Sequence, residues 1–181
     1  MNADGYCYVS ISYSVRLSDV AKLIIDFASA RKKNIIPDMS DGFTKKLYTT
    51  YLSYLPPDKL SVPLKMSADI RGSFTEIIQT PDRGQISVNI TKPGINKGNH
   101  WHQSKTEKFI VVSGKASIQL REVNSSAVIE YDVSGDRIAT IDVPPGYTHK
   151  LTNEGDNDLI TIIWSNETCD PEHPDTYYLE V

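Results

Sequence analysis

Cysteine and histidine are scarce in this chain, with two of the first and four of the second among 181 residues. Two cysteines cannot build a disulfide framework, and neither Cys7 nor Cys169 has another cysteine near it in sequence, so both are expected as free thiols. Long apolar runs are missing as well. No stretch approaches the roughly 20 residues needed to cross a bilayer, and Met1-Asn2-Ala3-Asp4-Gly5 lacks the basic-then-apolar order of a signal peptide. A cytoplasmic protein without a membrane span is therefore expected. Basic residues do not predominate: 19 Lys and Arg stand against 23 Asp and Glu, a net charge of −4. Nucleic acid is excluded as a partner on that ground, because its phosphates call for a basic surface. A nucleotide-sized ligand needs only a local cluster and stays admissible. Low-complexity tracts and solenoid repeats are also absent.

Two periodicities divide what is present. Cys7, Val9 and Ile11 alternate as in a short strand. From about Ser14 to Lys33, Val20, Leu23, Ile24 and Phe27 recur at helical spacing, Ser14 or Ser18 can cap the start, and Arg31-Lys32-Lys33 suits the C-terminal end of the dipole. A second helix is predicted from about Thr44 to Tyr54, with Phe43, Leu47, Tyr51 and Leu55 on one side and Pro56-Pro57 as its stop. Its tyrosines at this spacing form a packing face in preference to a platform for a base.

Beyond Pro63 the period becomes two and stays so. Ile86, Val88 and Ile90; Phe109 and Val111; Ala116, Ile118 and Leu120; residues 138–143; and Leu159, Thr161 and Ile163 read as half-buried strands. Turn residues separate them at Pro81-Asp82-Arg83-Gly84, Pro93-Gly94, Asn124-Ser125-Ser126, Ser134-Gly135-Asp136 and 153–157. Many short antiparallel strands with such turns make a sandwich or barrel. The expected division is residues 1–62, helical, and residues 63–181, mainly β.

The histidines carry the chemistry. A strand sends alternate side chains to one face, so His100 and His102 point together, and the turn after them lets Glu107 return beside them. Downstream, Pro144-Pro145-Gly146-Tyr147-Thr148-His149 ends in a third histidine, and Asn153 follows. Gly94, His100, His102, Glu107 and Gly114, with Pro144, Gly146, His149 and Asn153, closely resemble the two motifs of the cupin superfamily, G-x5-H-x-H-x4-E-x6-G and P-x-G-x2-H-x3-N. That resemblance implies a jelly-roll β-sandwich or barrel and a metal held by His100, His102, Glu107 and His149. Gly135 lies nine positions before Pro144 where the usual motif has six, which suggests a longer hairpin. His173, between prolines, is expected at the surface.

Arg71-Gly72-Ser73-Phe74-Thr75-Glu76 adds the R-G-x-F-x-E pattern seen in cupins that epimerise nucleotide-linked 4-keto sugars. With Gly98-Asn99-His100-Trp101-His102, Lys108-Phe109 and the ending 175–181, the chain resembles the C-terminal cupin part of the bifunctional capsular polysaccharide enzymes of UDP-N-acetyl-L-fucosamine synthesis, in which a short-chain dehydrogenase domain precedes the cupin. Residues 13–60 resemble the last strand and helices of that dehydrogenase, so residues 1–62 are expected to be its remnant. No G-x-x-G-x-x-G turn occurs, and no tyrosine is followed four positions later by lysine. No NAD(P) binding or reduction by this chain is therefore expected.

The resemblance implies C3 epimerisation of a UDP-linked 4-keto-2-acetamido-2,6-dideoxyhexose, with zinc favoured as the metal. The ligand types alone equally allow iron, manganese, nickel or copper. A noncatalytic, metal-stabilised cupin and a cupin dioxygenase stand beside it as alternatives. Ligated histidines cannot also shuttle protons, so the candidate acids and bases are Tyr147, Lys105 and Lys108, the lysines because a desolvated ammonium can act near neutral pH. Arg71 and Glu76 are the candidate substrate-binding residues, Arg71 as a bidentate partner for phosphate. Trp101 should face away from the metal. A homodimer is expected.

Overall fold

The structure, a computed structural model, describes residues 5, 9–168, 170 and 172–181. Cys7 and Cys169, with the free-thiol expectation, lie outside them. The chain forms two compact units, one ending at Lys33 and resuming over Pro37–Val62, the other comprising Asn34–Ile36 and Pro63–Val181.

In the first unit, helix α1 spans Leu17–Lys32 and helix α2 spans Gly42–Ser53. Neither Ser14 nor Ser18 caps α1; Arg16 occupies the cap without a side-chain bond, and Asp19, Arg31 and Lys32 complement the helix dipole. The cap that does form is at α2, where Asp41 Oδ2 accepts from the Thr44 backbone N–H at 2.7 Å and from the Thr44 hydroxyl at 2.8 Å. Phe27 is buried edge-on to Tyr48, with ring centroids 5.0 Å apart, and 5.8 Å from Tyr51. The tyrosines thus pack on a core phenylalanine. Ile24, assigned from sequence to the buried stripe, is exposed, because the stripe follows Val20, Leu23 and Phe27. Val9 and Ile11 are exposed and belong to no strand, which corrects the short strand expected there.

The second unit holds β1 (Met66–Asp69), β2 (Gly72–Thr80), β3 (Gly84–Thr91), β4 (Asn96–Trp101), β5 (Glu107–Ser113), β6 (Lys115–Glu122), β7 (Val128–Ser134), β8 (Thr140–Val143), β9 (Tyr147–Asn153), β10 (Leu159–Ser165) and β11 (Tyr177–Tyr178). They form two antiparallel sheets, β1-β2-β3-β10-β5-β8 and β11-β4-β9-β6-β7, stacked as a cupin jelly-roll. Phe109, Val111, Ala116, Ile118, Leu120, Val143, Leu151 and Leu159 interdigitate as the core between them. Ile138 lies before β8, not in it, and is exposed.

β3 departs from the simple amphipathic reading. Its buried face is Gln85, Ser87, Asn89 and Thr91, while Ile86, Val88 and Ile90 are only half-buried on the opposite face. Polar side chains inside a sandwich are stable only where partners or a polar ligand meet them. Asn89 borders the cavity described next, which accounts for the inversion there.

Candidate metal centre and cavity

Strand β4 contains an irregularity between Gly98 and His100 against β9. Gly98 adopts φ +118°, and a Cβ on it would stand 2.4 Å from the His149 carbonyl oxygen, so only glycine admits this approach of β4 to β9. Asn99 follows at φ +59°. The extra residue re-aims the strand. His100 is thereby set opposite His149, and His102 lies two residues further on the same face.

Glu107 begins β5 in the other sheet, so the cluster joins the two sheets. The ligand-capable atoms of His100, His102, Glu107 and His149 all lie within 4.8 Å of one another. Glu107 Oε2 is 3.4 Å from Nε2 of His102 and 3.4 Å from Nε2 of His149. His102 and His149 are buried, and His102 Nε2, His149 Nδ1 and Glu107 Oε2 find no hydrogen-bond partner. Burial drives the His149 imidazolium down to about 4 and lowers His100, so both are neutral at pH 7. Burial pushes the Glu107 carboxyl up, but the neighbouring histidines outweigh it and hold the group below its ordinary value. Burial likewise opposes a charge on His102, and Glu107 and the Asp175 carbonyl overcome that and raise it. Three imidazoles and a carboxylate, converging with buried atoms that lack a hydrogen-bond partner among the described residues, are a donor set suited to a divalent cation. These residues could hold one.

His100, Glu107 and His149 line a cavity of about 560 Å3 between the sheets. Asp69, Arg71, Asn89 and Lys97 line other parts of its wall. Arg71 donates to Asp69 Oδ2 through Nε at 2.9 Å and Nη2 at 2.6 Å, so its fork is occupied within the β1–β2 hairpin. Glu76 is not among the lining residues and accepts instead from Gln79 at 2.9 Å.

The proton-transfer candidates part company. Tyr147 packs against the hydrophobic core and is not part of the cavity wall. Lys108 forms an ion pair with Asp142 on β8, since its side chain points away from the face that carries Glu107 and Phe109. Lys105 lies outside the cavity wall too, yet its charge acts on His100 and His102. Trp101 stacks at 4.9 Å on Tyr177 of β11, and His173 is exposed beside Asp170.

Lys97 was not legible as a site residue. Its Nζ donates to Asn89 Oδ1 at 2.6 Å and to the Ile90 carbonyl at 2.9 Å, and partial burial lowers its proton affinity. Regular alternation puts residues 97 and 100 on opposite faces; the irregularity at Gly98 puts both on the cavity side.

Residues 67–177 match the polysaccharide biosynthesis C-terminal domain family. A UDP-2-acetamido-2,6-beta-L-arabino-hexul-4-ose reductase of Pseudomonas aeruginosa is 38% identical over 96% of this chain and 46% of its own length. Two crystal structures of the capsular polysaccharide assembling protein CapF from Staphylococcus aureus are 54% identical over 96% of this chain, each with a TM-score of 0.93, and are covered to 47% and 50%. The chain thus spans about half the length of these relatives. No helix among the described residues is long and apolar enough to cross a membrane.

Proposed function

Since this chain belongs to the polysaccharide biosynthesis C-terminal domain family, we propose that it is a metal-dependent cupin acting in capsular or surface polysaccharide precursor synthesis, where it epimerises C3 of a UDP-linked 4-keto-2-acetamido-2,6-dideoxyhexose. The observation that carries this reading is that three of the four clustered ligands line a cavity large enough for a sugar. The name of the Pseudomonas aeruginosa relative, which specifies a UDP-linked hexul-4-ose, supports the substrate class.

The reaction removes a proton next to a carbonyl from one face and adds a solvent-derived proton to the other. His100, His102, Glu107 and His149 would hold a divalent ion, zinc in this reading, which would supply Lewis acidity to that carbonyl, a role worth roughly several kcal/mol. The chain's own residues orient the sugar and move the proton. Lys105, in the loop between His102 and Glu107, is the proposed proton carrier of the three candidates, because Tyr147 is packed and Lys108 is ion-paired. The helical residues 1–62 are, in this reading, the remnant of a short-chain dehydrogenase domain. A homodimer completes it, supported by the half-buried apolar face formed by Ile86, Val88, Ile90, Ile160, Ile162 and Trp164.

A second reading, a metal-stabilised cupin without catalysis, is favoured by one feature: four protein ligands around one ion usually close a structural site. Proton NMR of the UDP-linked 4-keto sugar in heavy water, without nicotinamide, separates the two. Loss of the C3 proton signal that ceases after metal removal, ceases with His149→Ala and slows at least about 100-fold with Lys105→Met supports the epimerase. No exchange by the folded, metal-loaded chain selects the second reading.

A further inference from the structure

His100, Glu107 and His149 share the cavity wall with two cations, Arg71 and Lys97, of which the R-G-x-F-x-E pattern drew attention only to the first. Their bonding differs. The Arg71 side chain is 60% exposed and gives its Nε and Nη2 donors to Asp69, whose other oxygen accepts the Arg71 backbone N–H at 2.8 Å. A ligand anion could meet only the Nη1 side of this guanidinium, and there the Asp69 carboxylate already partly neutralises the charge that would attract it. The ion pair acts as a clasp across the β1–β2 turn.

Lys97 is in the opposite condition. An ammonium has three donors, and two are directed to neutral acceptors, Asn89 Oδ1 and the Ile90 carbonyl. Neither partner carries charge, so the ammonium is partly withdrawn from water and lacks a direct anionic partner. Asn89 is itself buried on β3, fixed from below by a 3.4 Å contact to the Thr91 hydroxyl, so the ammonium is held in place with its third donor free. Asp69 on the same cavity wall acts on this charge without bonding to it and is itself bound by Arg71, so an anion entering the cavity can become the direct partner of the Lys97 ammonium.

We propose that Lys97, and not Arg71, is the cation that binds the diphosphate of a nucleotide-linked ligand in this cavity, with Asn89 as the residue that positions it. The inference rests on the sugar-nucleotide reading above. Lys97 then sets affinity and the placement of the sugar toward the ligand cluster, and Arg71 maintains the hairpin.

The test is titration calorimetry of the metal-loaded chain with UDP and with inorganic pyrophosphate, alongside C3 exchange of the UDP-linked keto sugar. Lys97→Gln, which keeps an amide donor for Asn89 and Ile90, and Lys97→Met should each weaken UDP and pyrophosphate binding about 10- to 100-fold, as loss of a charge-assisted bond does. Lys97→Arg should recover most of the loss, and Arg71→Met should change binding less than about threefold. Metal content, measured in parallel, should be the same in all. Loss of binding in Arg71→Met with Lys97→Gln unaffected overturns the assignment, as does failure of the parent chain to bind either anion. Binding that depends on Lys97 without any C3 exchange supports the anion site while refuting the epimerase; exchange that is indifferent to Lys97 does the reverse.

Discussion

The backbone carbonyl of Asp175 accepts a hydrogen bond from His102 Nδ1. A carbonyl can only accept, so Nδ1 carries a proton and Nε2 is the nitrogen that faces Glu107 Oε2, 3.4 Å away. The carboxylate of the same residue accepts from the backbone N–H groups of Gln103 at 2.8 Å, Ser104 at 2.8 Å and Lys105 at 2.9 Å. One residue near the C-terminus therefore fixes both the tautomer of a candidate ligand and the loop that leads from it to Glu107.

Replacing that carboxylate should loosen the metal centre without touching a ligand. Asp175→Ala is expected to weaken metal binding about 10- to 100-fold, the usual cost of losing support behind a ligand, while leaving the β-sheet circular dichroism intact. Competition with a fluorescent chelator measures it. Affinity equal to the parent's would mean that the loop is held by its other contacts.

The same carboxylate sets a pH dependence. Desolvation pushes the Asp175 carboxyl up, but the bonds from Ser104, Gln103 and Lys105 outweigh it and hold the group well below the ordinary carboxylate range. Because the folded-state value is depressed, the stabilisation is fully present above the unfolded value of about 3.9 and is lost as pH falls through the folded one. The amides of residues 103–105 should accordingly keep their protected NMR shifts down to about pH 4 and lose them only in stronger acid. Transitions near pH 5 to 6 in these amides would contradict this.

How much of this could be read beforehand differs between the elements. The ligand set was legible because His100, His102 and Glu107 lie within one strand-turn-strand step, and the motif around His149 marks the facing strand. Asn153 was legible as a motif position, though its job was not: it is buried and ties β9 to β3 by bonding the Thr91 and Asn157 carbonyls. Lys97 and the polar face of β3 were not legible. Alternation is a rule for regular strands, and one inserted residue at Gly98–Asn99 reverses it. For β3, apolar periodicity identified the strand but not which face is inside, since the polar Gln85, Ser87 and Asn89 are the buried side chains. The α2 cap was open to sequence reading, as Asp41 stands three residues before Thr44 at the helix start.

Asn153 yields a stability prediction. Its amide donates to Thr91 at 2.8 Å and Asn157 at 2.9 Å, and its oxygen accepts from Gly155 N–H at 2.9 Å. Asn153→Ala leaves these backbone groups without their partner, at about 1–3 kcal/mol for an unsatisfied buried group. Urea unfolding should show a total loss of about 2–4 kcal/mol with an unchanged slope; a loss below about 1 kcal/mol would mean that water replaces the amide.

Gly98→Ala attacks the site through the backbone. The added Cβ would meet the His149 carbonyl at 2.4 Å in a conformation that L-residues rarely adopt. β4 must then move from β9 where His100 faces His149. A destabilisation on the order of 3 kcal/mol and loss of metal binding are expected together, read by thermal unfolding and by metal content after gel filtration. Intact metal binding in this variant would show that the ligands do not depend on the irregularity.

Metal addition tests the cluster as a whole. His102 Nε2 and Glu107 Oε2 lie 3.4 Å apart, both buried and both without a hydrogen-bond partner. A cation placed among these atoms is coordinated by them, so it binds the folded chain and stabilises it by mass action. With free zinc at about 100 times its dissociation constant the gain should be about 2.7 kcal/mol, visible as a rise in Tm that a chelator reverses. His149→Ala removes one ligand, and the gain should then shrink at the same zinc concentration, because affinity follows the number of ligands. Equal shifts in the parent and in His149→Ala would place the zinc elsewhere on the chain and would remove the physical basis for a metal at this cluster.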